Sequence, residues 1–362
     1  MSRRSSAKPP LIRQRTRHGA KQRAKQVTGP VRSSDADPRW MDAAAALAGR
    51  GRPLSRPNPA VGAIIVKNGA VIGRGWTAEG GRPHAEAVAL AQAGPAAQGA
   101  TLHVTLEPCA HQSERGPSCT SLILNSGLAR VVVGVQDPDP RTAGDGLAML
   151  RGAGIDAQLM PSRSATRSLA GYLMRQRHGR PHVTLKLALS IDGCIAMADG
   201  QSQWITGAAA RAHVHAERAR TDAILVGGGT FRADAPRLDV RLPGLAAFSP
   251  ARWVLSQSGT APEGWQVLAS PRDIAGLADV QYLFVEGGAQ TAAAFLSADL
   301  IDRLLVYRAP ILIGAGRASL GDIGLAALPD AHGRWHVVER RTLGSDTLEV
   351  YERARPATDC NT

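Results

Sequence analysis

Aromatic side chains are scarce in this 362-residue chain: Phe, Trp and Tyr together make up 4% of it. A surface that holds bases by stacking needs flat π faces, so a base-stacking platform is poorly supplied. Cysteine is almost as rare, with Cys109, Cys119, Cys194 and Cys360 alone. The last two are far apart in sequence, so no disulfide framework is expected, and a reducing, cytoplasmic setting is the simple reading. Nowhere do about 18 consecutive apolar residues occur, so no membrane-crossing helix is expected. The alanine-rich runs near 43–48 and 291–296 are too short for that and read as helices. No secretory apolar segment is present.

Acidic residues are missing from one stretch only. Residues 1–34 hold ten of the 43 lysines and arginines and none of the 30 acids. The remainder carries 33 bases against 30 acids, so the net charge of +13 is mainly a property of this arm. Rich in Ser, Pro and Gln and lacking apolar periodicity, residues 1–36 are expected to be disordered. The arm reads as a solvated extension (or a start codon placed too early), as a contact for nucleic acid or an acidic surface, or as an organelle presequence without a clear amphipathic helix. The near-neutral body and the few aromatics argue against a nucleic-acid partner. No membrane partner is expected either.

What is present is chemistry concentrated between His84 and Cys119. His84-Ala85-Glu86 comes first, Glu107-Pro108-Cys109 follows a short apolar run, and Cys119 closes the stretch. One imidazole and two thiolates make three zinc ligands, the number that leaves a position open for water. Glu86, two residues past the histidine, is free to move protons. The pattern H-x-E with P-C-x-x-C marks zinc deaminases, with the glutamate as acid–base group. Here nine residues rather than two separate the cysteines. Two plainer readings stand beside this one. Both cysteines could be ordinary core residues, or His103 or His111 could complete a purely structural zinc site.

The length suits two domains. In the first half, Asp37 and Pro38 open a helix running to about Gly49. The proline-rich Arg56-Pro57-Asn58-Pro59 is a loop. Ala60 to Val66 and Val71 to Trp76 form a hairpin about Asn68-Gly69. His84 opens a helix to about Ala93, and Leu102 to Leu106 is a strand delivering Glu107 to Cys109. A helix containing Cys119, a strand from Arg130 to Val135 and a helix from Asp145 to Arg151 complete a sheet between helices. Helix starts at the metal segments favour thiolate.

Residues 163–181 should hold the join, around a short helix from Leu169 to Arg175. The pattern restarts at His182 with a strand to Leu189, a turn at Ser190 to Gly193 and a helix from about Ala208 to Arg220. Strands Ala223 to Val226 and Tyr282 to Val285 each run into glycines, at 227–229 and 287–288. Strand, glycines, helix is a geometry in which backbone amides can approach phosphate. Two such turns suggest a ligand with several phosphates, although neither is a Rossmann fingerprint.

Asn58-Pro59-Ala60-Val61-Gly62, Pro83-His84-Ala85-Glu86 and Thr105-Leu106-Glu107-Pro108-Cys109-Ala110-His111 closely resemble the deaminase half of the bifunctional riboflavin-biosynthesis deaminase–reductase family. That family has the long inter-cysteine loop; the Gln112 to Ser118 loop here is about one residue longer than its usual pattern. Leu185-Lys186-Leu187, Ser190-Ile191-Asp192-Gly193, Ser202-Gln203-Trp204-Ile205-Thr206, Ala233 to Leu238 and Val285-Glu286-Gly287-Gly288 resemble its reductase half. The resemblance covers about Asp37 to Glu352. It implies an α/β protein, a cytidine-deaminase-like α/β/α sandwich over 37–162 followed by a dihydrofolate-reductase-like α/β domain over 182–362.

The resemblance implies zinc (Zn2+) on His84, Cys109 and Cys119, with Glu86 catalytic as the proton shuttle. It puts Asn58 and His111 beside a pyrimidine ribotide. It implies NADPH held by Ala188, Trp204, Thr230, Asp234, Ser256, Gly288, Ala289, Gln290 and Thr291. Ser202, Arg218, Leu238, Arg241 and Glu286 would hold the second substrate, with the arginines suited to its phosphate. Lys186 would assist reduction at the sugar carbonyl; an ion-paired strand lysine is the plainer alternative. A homo-oligomer is also implied.

Overall fold

The structure, a computed structural model, describes residues 37–111, 116–259 and 261–355. The expected disordered arm, the Gln112 to Arg115 part of the inter-cysteine loop and Cys360 lie outside the described residues.

The first half runs α1 (Arg39–Ala48), β1 (Gly62–Lys67), β2 (Ala70–Trp76), α2 (Ala85–Ala93), β3 (Thr101–Val104), α3 (Cys119–Leu124), β4 (Arg130–Val133), α4 (Asp145–Gly152) and β5 (Asp156–Leu159). Its five-stranded sheet has the order β2-β1-β3-β4-β5. The β1–β2 pair is an antiparallel hairpin, and β3, β4 and β5 run parallel to one another. Asn68 and Gly69 take positive φ, 53° and 77°, which a tight two-residue turn needs and which these residue types tolerate. Asp37 accepts the Arg39 N–H at 2.9 Å ahead of α1, the capping that its place before Pro38 predicts. The strand β5 has no counterpart in the sequence reading: it is a short edge strand in which only Ala157 is buried, so it carries little apolar signal.

Within residues 163–181 the helix expected from Leu169 to Arg175 is α6 (Ala170–His178), and a second, unexpected helix, α5 (Arg163–Ser168), precedes it. Ala165, Leu169 and Leu173, spaced four apart, put one apolar stripe into the first core alongside Val131, Val133 and Leu150. The polar residues between them made this stretch look like a connection.

The second half contains β6 (His182–Leu189), β7 (Cys194–Ala196), α7 (Ala208–Arg218), β8 (Ala223–Gly227), α8 (Gly228–Asp234), β9 (Ala251–Leu255), β10 (Gln266–Leu268), β11 (Tyr282–Val285), α9 (Ala289–Ser297), β12 (Arg303–Arg308), β13 (Arg317–Ala318), β14 (Trp335–Leu343) and β15 (Asp346–Arg353). Eight strands form one sheet in the order β10-β9-β8-β11-β6-β12-β15-β14. The run from β10 to β12 is parallel, and the β14–β15 hairpin closes one edge antiparallel. Successive side chains of β8 and β11 serve two cores. Leu225, Leu283 and Val285 pack on one face, and Ile224, Val226 and Phe284 on the other. That explains the unbroken apolar runs: a parallel strand covered on both faces has no polar side.

Candidate functional site

Glycine sets the geometry around His84. Gly75 on β2 lies against the first turn of α2, and a Cβ there would collide with the Ala85 carbonyl and the Ala89 nitrogen. The helix therefore sits close on the sheet, with His84 at its N-cap and buried Glu86 in its first turn. Cys109 arrives on the irregular segment after β3. Cys119 is the first residue of α3, whose N-cap Ser118 accepts the Ser121 N–H at 3.1 Å.

The His84 Nδ1 is 3.2 Å from Cys119 Sγ and 3.7 Å from Cys109 Sγ. Zn–N of about 2.0 Å and Zn–S of about 2.3 Å in a tetrahedron give an N···S edge of about 3.5 Å, so this donor set fits zinc. Among the described residues this is the one such group, its ligand atoms within 4.8 Å of one another. His103 and His111 do not join it, which removes the fourth ligand that a closed structural site needs. His103 is fully buried in β3. His111 is half-buried with its Nδ1 unpaired among the described residues.

Electrostatics in the cluster follow from burial and mutual contact. The hydrogen bond with Cys119 and the neighbouring His84 hold the Cys109 thiol down at about 4, against the opposing effect of burial. The same contact, burial and nearby Glu86 push Cys119 up. Burial pushes Glu86 up to about 7, where a carboxyl can both take and give a proton near neutral pH. A cleft of about 410 Å³, lined by Arg82, Pro83, His84, Ala87, Pro117, Cys119 and Leu122, opens on the cluster.

Asn58 also reaches this site: its Nδ2 donates to the Gly81 carbonyl at 3.0 Å and lies 3.2 Å from His84 Nε2. Glu107, quoted above only as part of a motif, has a distinct task. Its buried carboxylate accepts the N–H groups of Asp137, Gly144 and Leu147 at 3.3, 3.0 and 3.0 Å. It thereby ties the Cys109 segment to the start of α4. Carboxylate next to Pro-Cys was the available signal, but nothing local shows which amides it reaches.

In the second half, the two glycine turns meet because β8 and β11 are parallel neighbours. The first differs from expectation: Gly228 and Gly229 lie inside α8 rather than in a loop. Thr230 Oγ1 accepts the Gly288 N–H at 3.1 Å. A Cβ at Gly227 or Gly287 would strike Thr291, which begins near the start of α9 with Ala289 and Gln290. The result is a close-packed glycine cradle in which Thr291 fills the space beside Gly227 and Gly287. Beside it, Ser256 lines a pocket of about 280 Å³ with Gly228, Phe231, Arg232 and Ser258. Asp234 ends α8, exposed. Ala188 is half-buried on β6. Trp204 is 63% exposed, with the Arg211 guanidinium 4.7 Å over its ring, and Ser202 is half-buried in the same connection.

The proposed substrate groups are not all open. Arg218 Nε and Nη2 bind the Glu286 carboxylate at 2.6 and 3.0 Å, so its fork is already occupied. Lys186 Nζ is 3.6 Å from the same carboxylate, the ion-paired strand lysine considered above. Arg218 Nη1 also donates to the Asp239 carbonyl at 2.9 Å, and Arg241 lies 3.6 Å from the Asp239 carboxylate. Arg241, 51% exposed, is thus the arginine of the two that faces solvent. Leu238, buried with φ of 52°, turns the chain between them.

The halves are in contact. Gln281 Nε2 donates to the carbonyls of Pro57 and Asn58 at 2.9 and 3.3 Å. Arg56 Nε lies 3.0 Å from Asp222 Oδ1, and the Arg52 guanidinium sits 3.4 Å over the Tyr282 ring. Residues so distant in sequence leave no local signal of this contact.

A zinc-binding half of deaminase type, joined to a half of reductase type, defines a two-part enzyme. Residues 34–135 match the family model of the cytidine and deoxycytidylate deaminase zinc-binding region, and residues 181–348 that of the RibD C-terminal domain. The chain is 37% identical over 359 residues to the riboflavin biosynthesis protein RibD of Haemophilus influenzae, covering 86% of this chain and 96% of that one. For RibD of Escherichia coli the identity is 38%, over 86% and 97%. A solved diaminohydroxyphosphoribosylaminopyrimidine deaminase/5-amino-6-(5-phosphoribosylamino)uracil reductase from Thermotoga maritima superposes with a TM-score of 0.78 at 29% identity, over 89% and 99% of the two chains. RibD of Acinetobacter baumannii gives 0.75 at 34%, over the same shares. The chain belongs to the RibD family of bifunctional riboflavin-biosynthesis deaminase–reductases.

Proposed function

We propose that residues 37–162 deaminate diaminohydroxyphosphoribosylaminopyrimidine and that residues 182–362 reduce the ribosyl side chain of 5-amino-6-(5-phosphoribosylamino)uracil to ribityl with NADPH. The observation that carries the first half is the His84, Cys109 and Cys119 donor set with buried Glu86 beside it. Bound zinc lowers the pKa of water toward about 7 and so supplies the nucleophile. Glu86 takes the proton of the attacking water and gives it to the leaving amine. Asn58 and His111 hold the pyrimidine.

In the second half the cradle at Gly288 to Thr291, with Thr230, holds the cofactor phosphates, and Ala188, Trp204, Asp234 and Ser256 line its path. NADPH supplies the hydride. Lys186, held by Glu286, offers a proton to the sugar oxygen. Arg241 takes the substrate phosphate, with Arg218, Ser202 and Leu238 shaping the pocket behind it. Cytoplasmic location and a homo-oligomeric state belong to the same reading.

The test follows ammonia release and NADPH absorbance in parallel with the pyrimidine ribotide. Glu86→Gln should keep stoichiometric zinc and lose at least about 100-fold in ammonia release. Deamination near the wild-type rate in that variant would refute the role of Glu86.

A further inference from the structure

Gln281 belongs to the reductase half, but its side chain ends in the deaminase half. It lies one residue before β11, which is hydrogen-bonded on both sides, to β8 and to β6. Asp222, 3% exposed, fixes this corner: its Oδ2 accepts the N–H groups of Gln281 and Tyr282, both at 2.8 Å. Its Oδ1 faces Arg56 at 3.0 Å. The backbone under Gln281 is therefore held by a central strand and a buried carboxylate.

The partner of this anchor is the loop at 52–59. It has no helix or strand of its own and contains Pro53, Pro57 and Pro59. A loop of this kind offers carbonyls that need donors from elsewhere. The Gln281 amide donates to the carbonyls of Pro57 and Asn58. On the other side of the same residue, the Asn58 amide spans the Gly81 carbonyl and His84 Nε2. The short route from the reductase sheet to the deaminase site thus runs through one residue's backbone and side chain.

We propose that Gln281 is a positioning residue of the deaminase site: the reductase sheet holds the backbone of Pro57 and Asn58 so that the Asn58 amide meets the pyrimidine. This rests on the reading of Asn58 as a substrate-binding group. The deaminase domain then depends on its neighbour for substrate affinity, without sharing any reacting group with it.

The test uses the zinc-saturated full-length enzyme and the pyrimidine ribotide. Gln281→Met keeps the length and removes the donor. One hydrogen bond of ordinary strength is worth about fivefold, so the KM for deamination should rise about fivefold or more. The kcat for deamination, the zinc content and the reductase kcat/KM should stay within about twofold of wild type. Asp222→Asn, which keeps the shape and loses the charge facing Arg56, should shift the same KM in the same direction, and it serves if the Met variant does not fold. Asn58→Ala is the control for the underlying reading. If it raises the deaminase KM while both interface variants leave KM unchanged, the positioning role is wrong and the site reading stands. If Asn58→Ala leaves KM unchanged, the reading of Asn58 fails and the proposal with it. Equal loss of both activities in the interface variants would mark Gln281 as merely structural and overturn the proposal.

Discussion

Arg218 and Glu286 form a two-pronged ion pair across the second half, Nε to Oε1 at 2.6 Å and Nη2 to Oε2 at 3.0 Å. They are 68 residues apart in sequence and meet because Ala210 and Val214 of α7 share a core face with Phe284 of β11, which brings the last residue of α7 to the residue after β11. Burial opposes the charge on Glu286, but Arg218 and Lys186 together hold its carboxyl below the usual range. The Glu286 carboxylate is thereby held between Arg218 and Lys186.

Glu286→Gln removes the negative charge and leaves two cations facing a neutral amide. Breaking a buried pair from one side costs about 3–5 kcal/mol, and Lys186 would lose its anchor as well. Urea unfolding of the variant should show a loss of about 3 kcal/mol in the reductase half, with NADPH oxidation sharply reduced and ammonia release retained. An unchanged unfolding midpoint would mean that the carboxylate contributes no net stability to this pocket.

The cradle between β8 and β11 depends on the absence of side chains. A Cβ on Gly287 would meet both the Cβ and Cγ2 of Thr291, on the first turn of α9. Gly287→Ala should therefore push α9 away from the turn that Thr230 and Gly288 close. Overpacking of this sort costs about 1–3 kcal/mol, and NADPH affinity, measured by fluorescence titration, should weaken about tenfold or more on that scale. Gly152→Ala, at the end of α4 in the other half, is the matched control, because an added Cβ there meets no neighbouring residue within 4 Å; it should bind NADPH nearly as wild type.

Zinc removal should separate the halves. The ligand cluster draws on α2, α3 and the segment after β3, and none of these belongs to the eight-stranded sheet. Chelation should abolish ammonia release and leave NADPH oxidation with the deaminated substrate. Parallel loss of both activities on chelation, restored together by added zinc, would show that the metal supports the whole fold.

Local patterns in the sequence were sufficient for the parts that local physics decides. Asn68-Gly69 between two apolar runs specifies a hairpin, and His84 with Glu86 at a helix start places ligand and acid on one turn. Cys109 and Cys119 were legible as a pair despite the long loop, because each stands where a strand or helix delivers it. The helix from Leu169 to Arg175 was legible and is α6, but the α5 turn before it was not, because Ala165 is its one buried residue among arginines and serines. Occupation of Arg218 by Glu286 could not be seen, since it depends on which helix packs behind which strand. The Gln281 contact with Asn58 spans 223 residues, and a glutamine between a valine and a tyrosine carries no pattern at all.

His182 predicts how stability responds to acid. It opens β6 with its ring 5.9 Å from that of Tyr282, and its Nδ1 is buried without a hydrogen-bond partner among the described residues. Burial pulls its pKa from 6.5 down to about 4; Asp302 opposes this, and Arg303, Arg52 and Arg180 reinforce it. The folded state thus binds its proton less readily than the unfolded chain. Well above pH 6.5 both states are neutral at this ring and it adds no pH dependence. As pH falls from 6.5 toward 4 the unfolded chain takes up a proton that the folded chain refuses, so stability declines; below 4 the decline from this ring ends. The full shift corresponds to about 3 kcal/mol, and the partial exposure of the ring makes the loss smaller. Asp302 acts in a separate, lower window. Burial opposes its charge, but Arg180 and the Val183 N–H bring it to about 2, so its contribution is lost only between 3.8 and 2. His182→Phe keeps the packing on Tyr282 and removes the titration. The urea midpoint of the wild type should fall further than that of the variant as pH drops from 7 to 4.5. A difference between them that does not change with pH would show that His182 is not the acid-sensitive group.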